Sequence, residues 1–432
     1  MFFPEHQITH APHGHILTNF NVWSRDGRRI VYDVRPDPAG DVFDGDRIET
    51  VDVETGEVRV LYRATNDARC GAATYDPTAD RVIFILGPEH PTADFTYGPA
   101  RRLGVVVDES RPGEAVHLDA RNLVAPFTPG ALRGGSHVHV FSPDGSRVSF
   151  TYEDHVLDRL PAGVGERNQR NVGVTVIGQP VHVPKTHPRN HDGIGFSVIV
   201  TETADDPAPG SDQICRAFED AWVGTAGYRR ADGSRQRWAI AFQGHVRTQS
   251  GDIISEVFIV DLPDDLTVPG DGPLEGTSAT RPRPPLGTCQ RRLTFTADRR
   301  HAGLQGPRHW VRSSPDGSKI AFLMRDDAGV VQLWTVPPTG GEITQVTHND
   351  RDVGSAFTWD AAGHSIAHVM DGSVCVTDVS TGRTRRLTAR TDPPPRPEAC
   401  VFSPDGSRIA YIRGVQTGAG WFNQVFVCDV PR

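Results

Sequence analysis

Seven times along this chain a short apolar strand runs into a tight polar turn and out into a second apolar strand. The clean copies of the turn are Ser142-Pro143-Asp144-Gly145, Ser314-Pro315-Asp316-Gly317 and Ser403-Pro404-Asp405-Gly406. Worn copies lie at Ser24-Arg25-Asp26-Gly27, Asp76-Pro77-Thr78-Ala79, Arg230-Ala231-Asp232-Gly233 and Asp360-Ala361-Ala362-Gly363. Proline presets φ, aspartate caps the local amides and glycine takes the left-handed position, so each copy reads as a β-turn between strands. A unit recurring every ~40–90 residues specifies a radial or stacked repeat fold.

The repeat spreads over nearly all of the 432 residues, so the expectation is one all-β domain, 1–432, rather than two or three ordinary ones. With 44 Gly, 34 Pro and only 3 Met, the chain is turn-rich and poor in helix formers. The net charge is −9 and no Lys/Arg run is dense enough to track a phosphate backbone, so no nucleic-acid partner is expected. No apolar segment approaches the ~20 residues of a membrane span. Met1–His6 lacks the basic and apolar parts of a signal peptide, so the cytoplasm is the expected location and no membrane is a partner. Six scattered cysteines without a CxxC pair read as buried thiols rather than disulfides.

After each turn the pattern continues as strand, loop, strand, glycine turn and a closing strand. Four strands per repeat is the pattern of a blade, and seven copies give a seven-bladed β-propeller of four-stranded antiparallel blades. The seventh copy stops after its third strand, Gln424–Val430, while Gln7-Ile8-Thr9-His10 resembles the closing strands Arg292–Phe295 and Gln345–His348. An open blade would leave unpaired edge groups. Residues 7–9 are therefore expected to pair near 424–430 and close the ring. Loop insertions are expected near 152–172, 184–221 and 263–290. The acidic stretch Asp41, Asp44, Asp46 and Glu49 has the wrong spacing for a calcium loop and reads as a solvated hairpin tip.

The first strand of each blade lines the axis, and the turns align the seven first strands. One column reads Asn19, Gly71, His137, Thr225, His309, Ser355 and Glu398; two residues on, it reads Asn21, Ala73, His139, Val311, Phe357 and Cys400. The first column sits at one mouth of the channel, and the loops feeding it add His13, His15, His301, Gln305 and His348. Arg133, Arg300, Arg308, Arg351 and Arg396 accompany them, and the third blade adds Glu153, Asp154, His155, His187 and His191. Imidazoles, an amide and a carboxylate converging on an axis can hold a divalent metal. Arginines around it suit a carboxylated substrate. The plainer reading is that polar residues line any water-filled channel.

The segments Gln7–His15, His137–Gly145 and Pro307–Arg312 resemble those of the YidR-like bacterial propellers, which carry TolB-type WD40-like repeats. The oligogalacturonate lyases are a more distant resemblance with the same repeat type. That resemblance implies a divalent ion, manganese first with zinc or calcium open, on His137, His139, Gln305 and His309. It implies β-elimination on a short acidic, uronate-containing oligosaccharide, with His155 or His191 and Arg189 as catalytic groups and Asn19, Arg133, Arg300, Arg308 and Glu398 binding substrate. Neutral histidine is a fitting base for a proton α to a carboxylate. Two alternatives stand beside the lyase. One is a non-catalytic TolB-like propeller that binds a protein or peptide on its top face. The other is a glycoside hydrolase, which needs two suitably spaced acids. A peptidase is disfavoured because no Gly-x-Ser-x-Gly elbow occurs. Oligomeric state is left open.

Overall fold

A computed structural model describes residues 2–37, 40–307 and 310–431. Seven four-stranded antiparallel sheets succeed one another among the described residues, and we number these blades in chain order. Blade 1 holds Gly14–Ile16, Arg29–Arg35, Arg47–Asp52 and Val58–Arg63. Blade 2 holds Cys70–Tyr75, Arg81–Leu86, Leu103–Asp108 and Ala115–His117; blade 3 holds Gly134–Phe141, Arg147–Asp154, Asn171–Val181 and Gly193–Ile199. Blade 4 is built from Ile214–Trp222, Trp238–Arg247, Ile253–Leu262 and Cys289–Arg292. Blades 5 and 6 follow at residues 312–345 and 358–386, and blade 7 takes Pro395–Phe402, Arg408–Thr417 and Gly420–Asp429. The chain is a seven-bladed β-propeller with almost no helix.

The fourth strand of blade 7 is Glu5–Gln7, which pairs antiparallel with Phe426–Cys428. Ile8 continues the ladder by donating to the Val425 carbonyl at 2.8 Å, and the Thr9 hydroxyl accepts from Val425 N–H at 2.9 Å. Ring closure by the N-terminus thus holds, with the strand beginning two residues earlier than its sequence signal.

The turns close as their chemistry dictates. In blade 3, Ser142 and Ser146 both donate to Asp144 Oδ1, and Arg147 N–H returns to the Ser142 hydroxyl at 3.0 Å. Gly145 has φ of 70°, where a side chain would be strained. The worn copy at Arg230–Gly233 caps a small extra hairpin, Tyr228–Arg229 on Arg235–Gln236. The first strand of blade 4 therefore ends earlier, at Trp222, and the residue aligned with His137 is Phe218 rather than Thr225.

Adjacent blades are clamped near the axis by a repeated hydrogen bond. Trp23 of blade 1 donates its indole N–H to the Val401 carbonyl of blade 7 at 3.0 Å. Trp222 of blade 4 donates likewise to Val140 of blade 3, and Trp359 of blade 6 to Arg312 of blade 5, each at 3.1 Å. The Thr74 and Thr358 hydroxyls link blades 2 and 6 to the His139 and Cys400 carbonyls of the next blade. These aromatics join Tyr75, Phe141, Phe402 and the turn prolines Pro77, Pro143, Pro315 and Pro404 in a funnel on the turn face of the channel.

Residues 184–221 combine loop with the last strand of blade 3, Gly193–Ile199, and the first strand of blade 4, which begins at Ile214. Residues 263–288 form a long loop held down by ion pairs, Arg281 to Asp205 and Arg283 to Glu166. All six cysteines are free; Cys70, Cys375, Cys400 and Cys428 are buried, whereas Cys289 is exposed.

Removing residues 2–9 uncovers the Phe426–Cys428 edge, and the expected result is loss of the cooperative thermal transition and aggregation seen by light scattering. An unchanged melting curve would contradict ring closure. Trp23→Phe leaves the buried Val401 carbonyl without its donor, and denaturant unfolding should show a loss of about 1–3 kcal/mol.

Candidate functional site

First strands run toward the turns, so their starts and the ends of the second strands lie on the opposite face, here called the entry face. Gly134 pairs with Asp154 there, whereas Phe141 pairs with Val148 beside the turn. On the entry face of blades 2 and 3 the chain gathers an unusual density of imidazole and guanidinium.

The inner end of this region is His137, buried at 3% exposure with no partner for Nδ1. Burial, then Arg102, Arg170, His139 and Arg216, pushes its pKa well below the usual histidine value. Arg102 approaches from the segment after the turn Pro99–Arg101, which lies so close to Gly135 that a side chain there would strike the Pro99 carbonyl. Tyr97 and Phe43 stack with centroids 4.9 Å apart, and Arg102 lies over both rings.

Arg101, the neighbouring residue, lies 5.2 Å from the Phe95 ring centroid, and Arg189 lies 4.8 Å from the same ring. His155 meets Phe95 edge-on at 5.1 Å. His155 opens the single helical turn His155–Asp158, capped by the Asp154 carboxylate, which accepts from Leu157 N–H. Beyond Phe95, His117 and His191 stack at 3.9 Å beside Arg121 in a cleft also lined by Arg101 and Arg189. Burial and the cationic neighbours depress the imidazoles: His155 to about 4, with Arg101 the first cation, and His191 to about 3, with His117 and Arg121. The neutral imidazoles lie among guanidinium groups held in place, Arg121 by Asp119 at 2.8 Å and Arg189 by the Glu89 and His90 carbonyls.

The structure thus brings His155 and Arg189 to one aromatic ring, Phe95, with His191 lining the cleft beside it. It sends the other expected residues elsewhere. Arg133 is 2% exposed and pairs with Asp154 at 2.7 Å while donating to the Thr277 and Thr280 carbonyls, so it anchors the 263–288 loop. Asn19 accepts from the buried Arg312 inside the channel. Glu398 binds Arg396 through both oxygens at 3.0 and 2.8 Å. Arg300 is exposed on blade 5 and donates to the Asp327 carbonyl. Arg308 and His309 lie outside the described residues.

Two described members of the expected metal set, Gln305 and His139, have hydrogen-bond partners of their own. Gln305 is held between Arg325 Nε at 2.9 Å and the Ala302 carbonyl at 3.0 Å. His139 Nε2 meets the Ser136 hydroxyl at 3.0 Å, and its ring sits against Gly104, where a Cβ would come within 2.6 Å of Nε2. His137 stands among three arginines. No chemical step here is routed through a metal at His137 and His139.

Among the described residues, the group of acidic, His and Cys side chains whose ligand atoms all lie within 4.8 Å is His13, His15 and Glu49. Glu49 is not at a solvated tip. It sits inside the strand Arg47–Asp52 at 3% exposure, beneath Tyr32. The signal that would have found it is an acid within a strand-period run, Ile48-Glu49-Thr50-Val51, at a position where blade 1 faces its neighbour.

Residues 69–191, which include most of the blade 2–3 cluster, match the model of a family described as protein of unknown function (DUF3748). Over 414 residues the chain is 46% identical to the uncharacterized protein YidR of Escherichia coli (strain K12), with 95% of each chain covered. The chain belongs to the YidR family. Among solved structures it is similar to an oligogalacturonate lyase in complex with manganese, at TM-score 0.57 and 14% identity, covering 99% of this chain and 93% of that one. A second oligogalacturonate lyase, from Vibrio parahaemolyticus, aligns at TM-score 0.53 and 10% identity over 100% and 94%. At such identity the likeness is one of fold. Among the described residues no helix is long and apolar enough to cross a membrane.

Burial keeps His15, His139, His155, His191 and His368 unprotonated in the folded chain, with values pushed down to about 3 or 4. The unfolded chain binds these protons below about pH 6.5, so folding stability is full above that pH and declines as pH falls toward 4. Thermal melts between pH 7 and pH 4 should show a progressive fall in Tm. A flat Tm across this window would contradict the neutral buried imidazoles.

Proposed function

We propose that this protein is a carbohydrate-active enzyme, a lyase that cleaves short uronate-type oligosaccharides by β-elimination in the entry-face groove between blades 2 and 3. The observation that carries this reading is the gathering of neutral imidazoles and guanidinium groups at Phe95, where His155, Arg101 and Arg189 meet beside the cleft that holds His117 and His191. The overall likeness to oligogalacturonate lyases supports the same reaction class. The cytoplasm is its proposed location.

In this reading Arg101, Arg102 and Arg189 take up the sugar carboxylates, since guanidinium pairs well with planar anions. His155, whose Nδ1 has no partner, removes the proton α to a carboxylate. The C–H electron pair passes into the carboxylate as an enolate, which the arginines stabilise electrostatically. Collapse of the enolate forms the ring double bond and breaks the glycosidic C–O bond, and the departing oxygen takes up a proton. A bound carboxylate also raises the basicity of the depressed imidazole beside it. His191 positions Arg121 and His117 at the outer subsite. The glycoside-hydrolase alternative fits less well, because Glu153, Asp154 and Glu398 are each committed to an arginine. A binding role is the second reading, favoured by the aromatic and proline funnel on the turn face.

Ultraviolet absorbance of unsaturated uronate, followed with galacturonate oligomers, tests the proposal. His155→Ala should lower kcat by ~100-fold or more, and Arg189→Ala should chiefly raise KM. Wild-type protein with no activity on any acidic oligosaccharide, together with tight binding of a peptide at the turn face, would overturn it.

A further inference from the structure

We infer that His13, His15 and Glu49 form a divalent-metal site at the seam where blade 7 meets blade 1, so that an ion ties the closing strand to the first blade. The proposal is independent of the groove chemistry above. His13 and His15 belong to the segment that leaves the closing strand and enters blade 1; Glu49 comes from the third strand of blade 1. One imidazole nitrogen from each histidine and a Glu49 carboxylate oxygen lie within 4.8 Å of one another, with His13 Nε2 3.9 Å from Glu49 Oε2. Ligand bonds of 2.0–2.2 Å in a tetrahedral shell put donor atoms about 3.4 Å apart, so small side-chain rotations complete the shell.

The hydrogen bonds around His15 decide which nitrogen carries its proton. The Gln424 amide nitrogen donates to the Ala11 carbonyl at 3.0 Å and the His13 carbonyl at 3.2 Å, which turns its oxygen toward Thr9. The Thr9 hydroxyl spends its one hydrogen on that oxygen at 2.8 Å and accepts from Val425 N–H. Its 3.0 Å contact with His15 Nδ1 must then be donated by the imidazole. His15 Nε2 is therefore a bare lone pair, fully buried and without a partner. A second nitrogen, His13 Nε2, is likewise buried and unpartnered. Two orphaned nitrogens facing a carboxylate are costly unless something binds them.

The rest of the shell is that of a ligand set. Tyr32 donates to Glu49 Oε2 at 3.0 Å and Arg47 stands 3.4 Å from Oε1, fixing the carboxylate as outer partners of metal ligands do. The His13 side chain is 24% exposed, which leaves a path for entry and for a water ligand. Two imidazoles and one carboxylate select a borderline first-row ion, zinc or manganese, over calcium, which prefers oxygen throughout.

The test uses the full chain, stripped with a chelator and then given Zn²⁺ or Mn²⁺ alone. The expected result is one ion retained per chain by elemental analysis and a Tm rise of about 3 °C at a hundredfold excess over Kd. His13→Ala and Glu49→Gln, both at positions whose change leaves the strand ladders intact, should each lose the ion and the Tm rise. A metal-free chain whose Tm ignores both ions, or retention unchanged in both variants, overturns the site. Lyase activity is not the readout, so this outcome and that of the groove proposal are read separately.

Discussion

A propeller stands or falls on closing its ring, and here closure rests on the N-terminal segment. Glu5–Gln7 supply the backbone partners that Phe426–Cys428 would otherwise lack. An unpaired strand edge exposes a row of donors and acceptors and invites pairing with another chain. Once closed, each blade packs on two neighbours, and the Trp and Thr hydrogen bonds near the axis hold the blades at fixed angles. The buried core follows the same logic: one apolar cluster joins Ile8, Tyr32 and Val34 to Val401, Ala410 and Val425, packing blade 1, the closing segment and blade 7 together. The seam that completes the ring is also where His13, His15 and Glu49 converge.

Closure has a consequence for chemistry far from the seam. With blades 2 and 3 held at one angle, the loop after blade 2's second strand lies across the start of blade 3's first strand. Ser136 N–H bonds the Arg102 carbonyl, and the Pro99–Arg101 turn rests on Gly135. Arg102 is thereby delivered to His137, and Arg101 to Phe95 and His155. Ion pairs elsewhere consume many charges, Arg133 with Asp154 and Arg170 with Glu153 among them. Burial first, and then the neighbouring cations, keeps the imidazoles of the groove neutral.

The strand count, the turns and the closing strand were legible because each depends on local chemistry or on simple counting. The site was legible only in part. Arg189 and His191 stand in one His/Arg-rich stretch and His155 in another, and Arg189 and His155 both lie against Phe95. His137 and His139 looked like two ligands pointing the same way, two residues apart. A bulge breaks that period: Val138 has φ of 55° and the pairing register shifts between His137 and Val140. His139 is turned into the space left by Gly104, while His137 stays among the arginines. Arg133 looked like a channel cation, and nothing local revealed that a loop more than a hundred residues away would surround it.

What the sequence determined by itself was the repeating unit, its number and the need for the N-terminus to supply a strand. Those follow from turn residues and period-two patterning, which act over a few residues. Only the tertiary structure decided which charges are spent in pairs and which remain available, and which lone pairs are left bare. That depends on contacts between distant segments and on burial, where a carboxylate beside an arginine and an imidazole beside another imidazole reach opposite states. Glu49 shows the difference: four residues in an acidic run look alike, and one of them lies beneath a tyrosine facing two histidines.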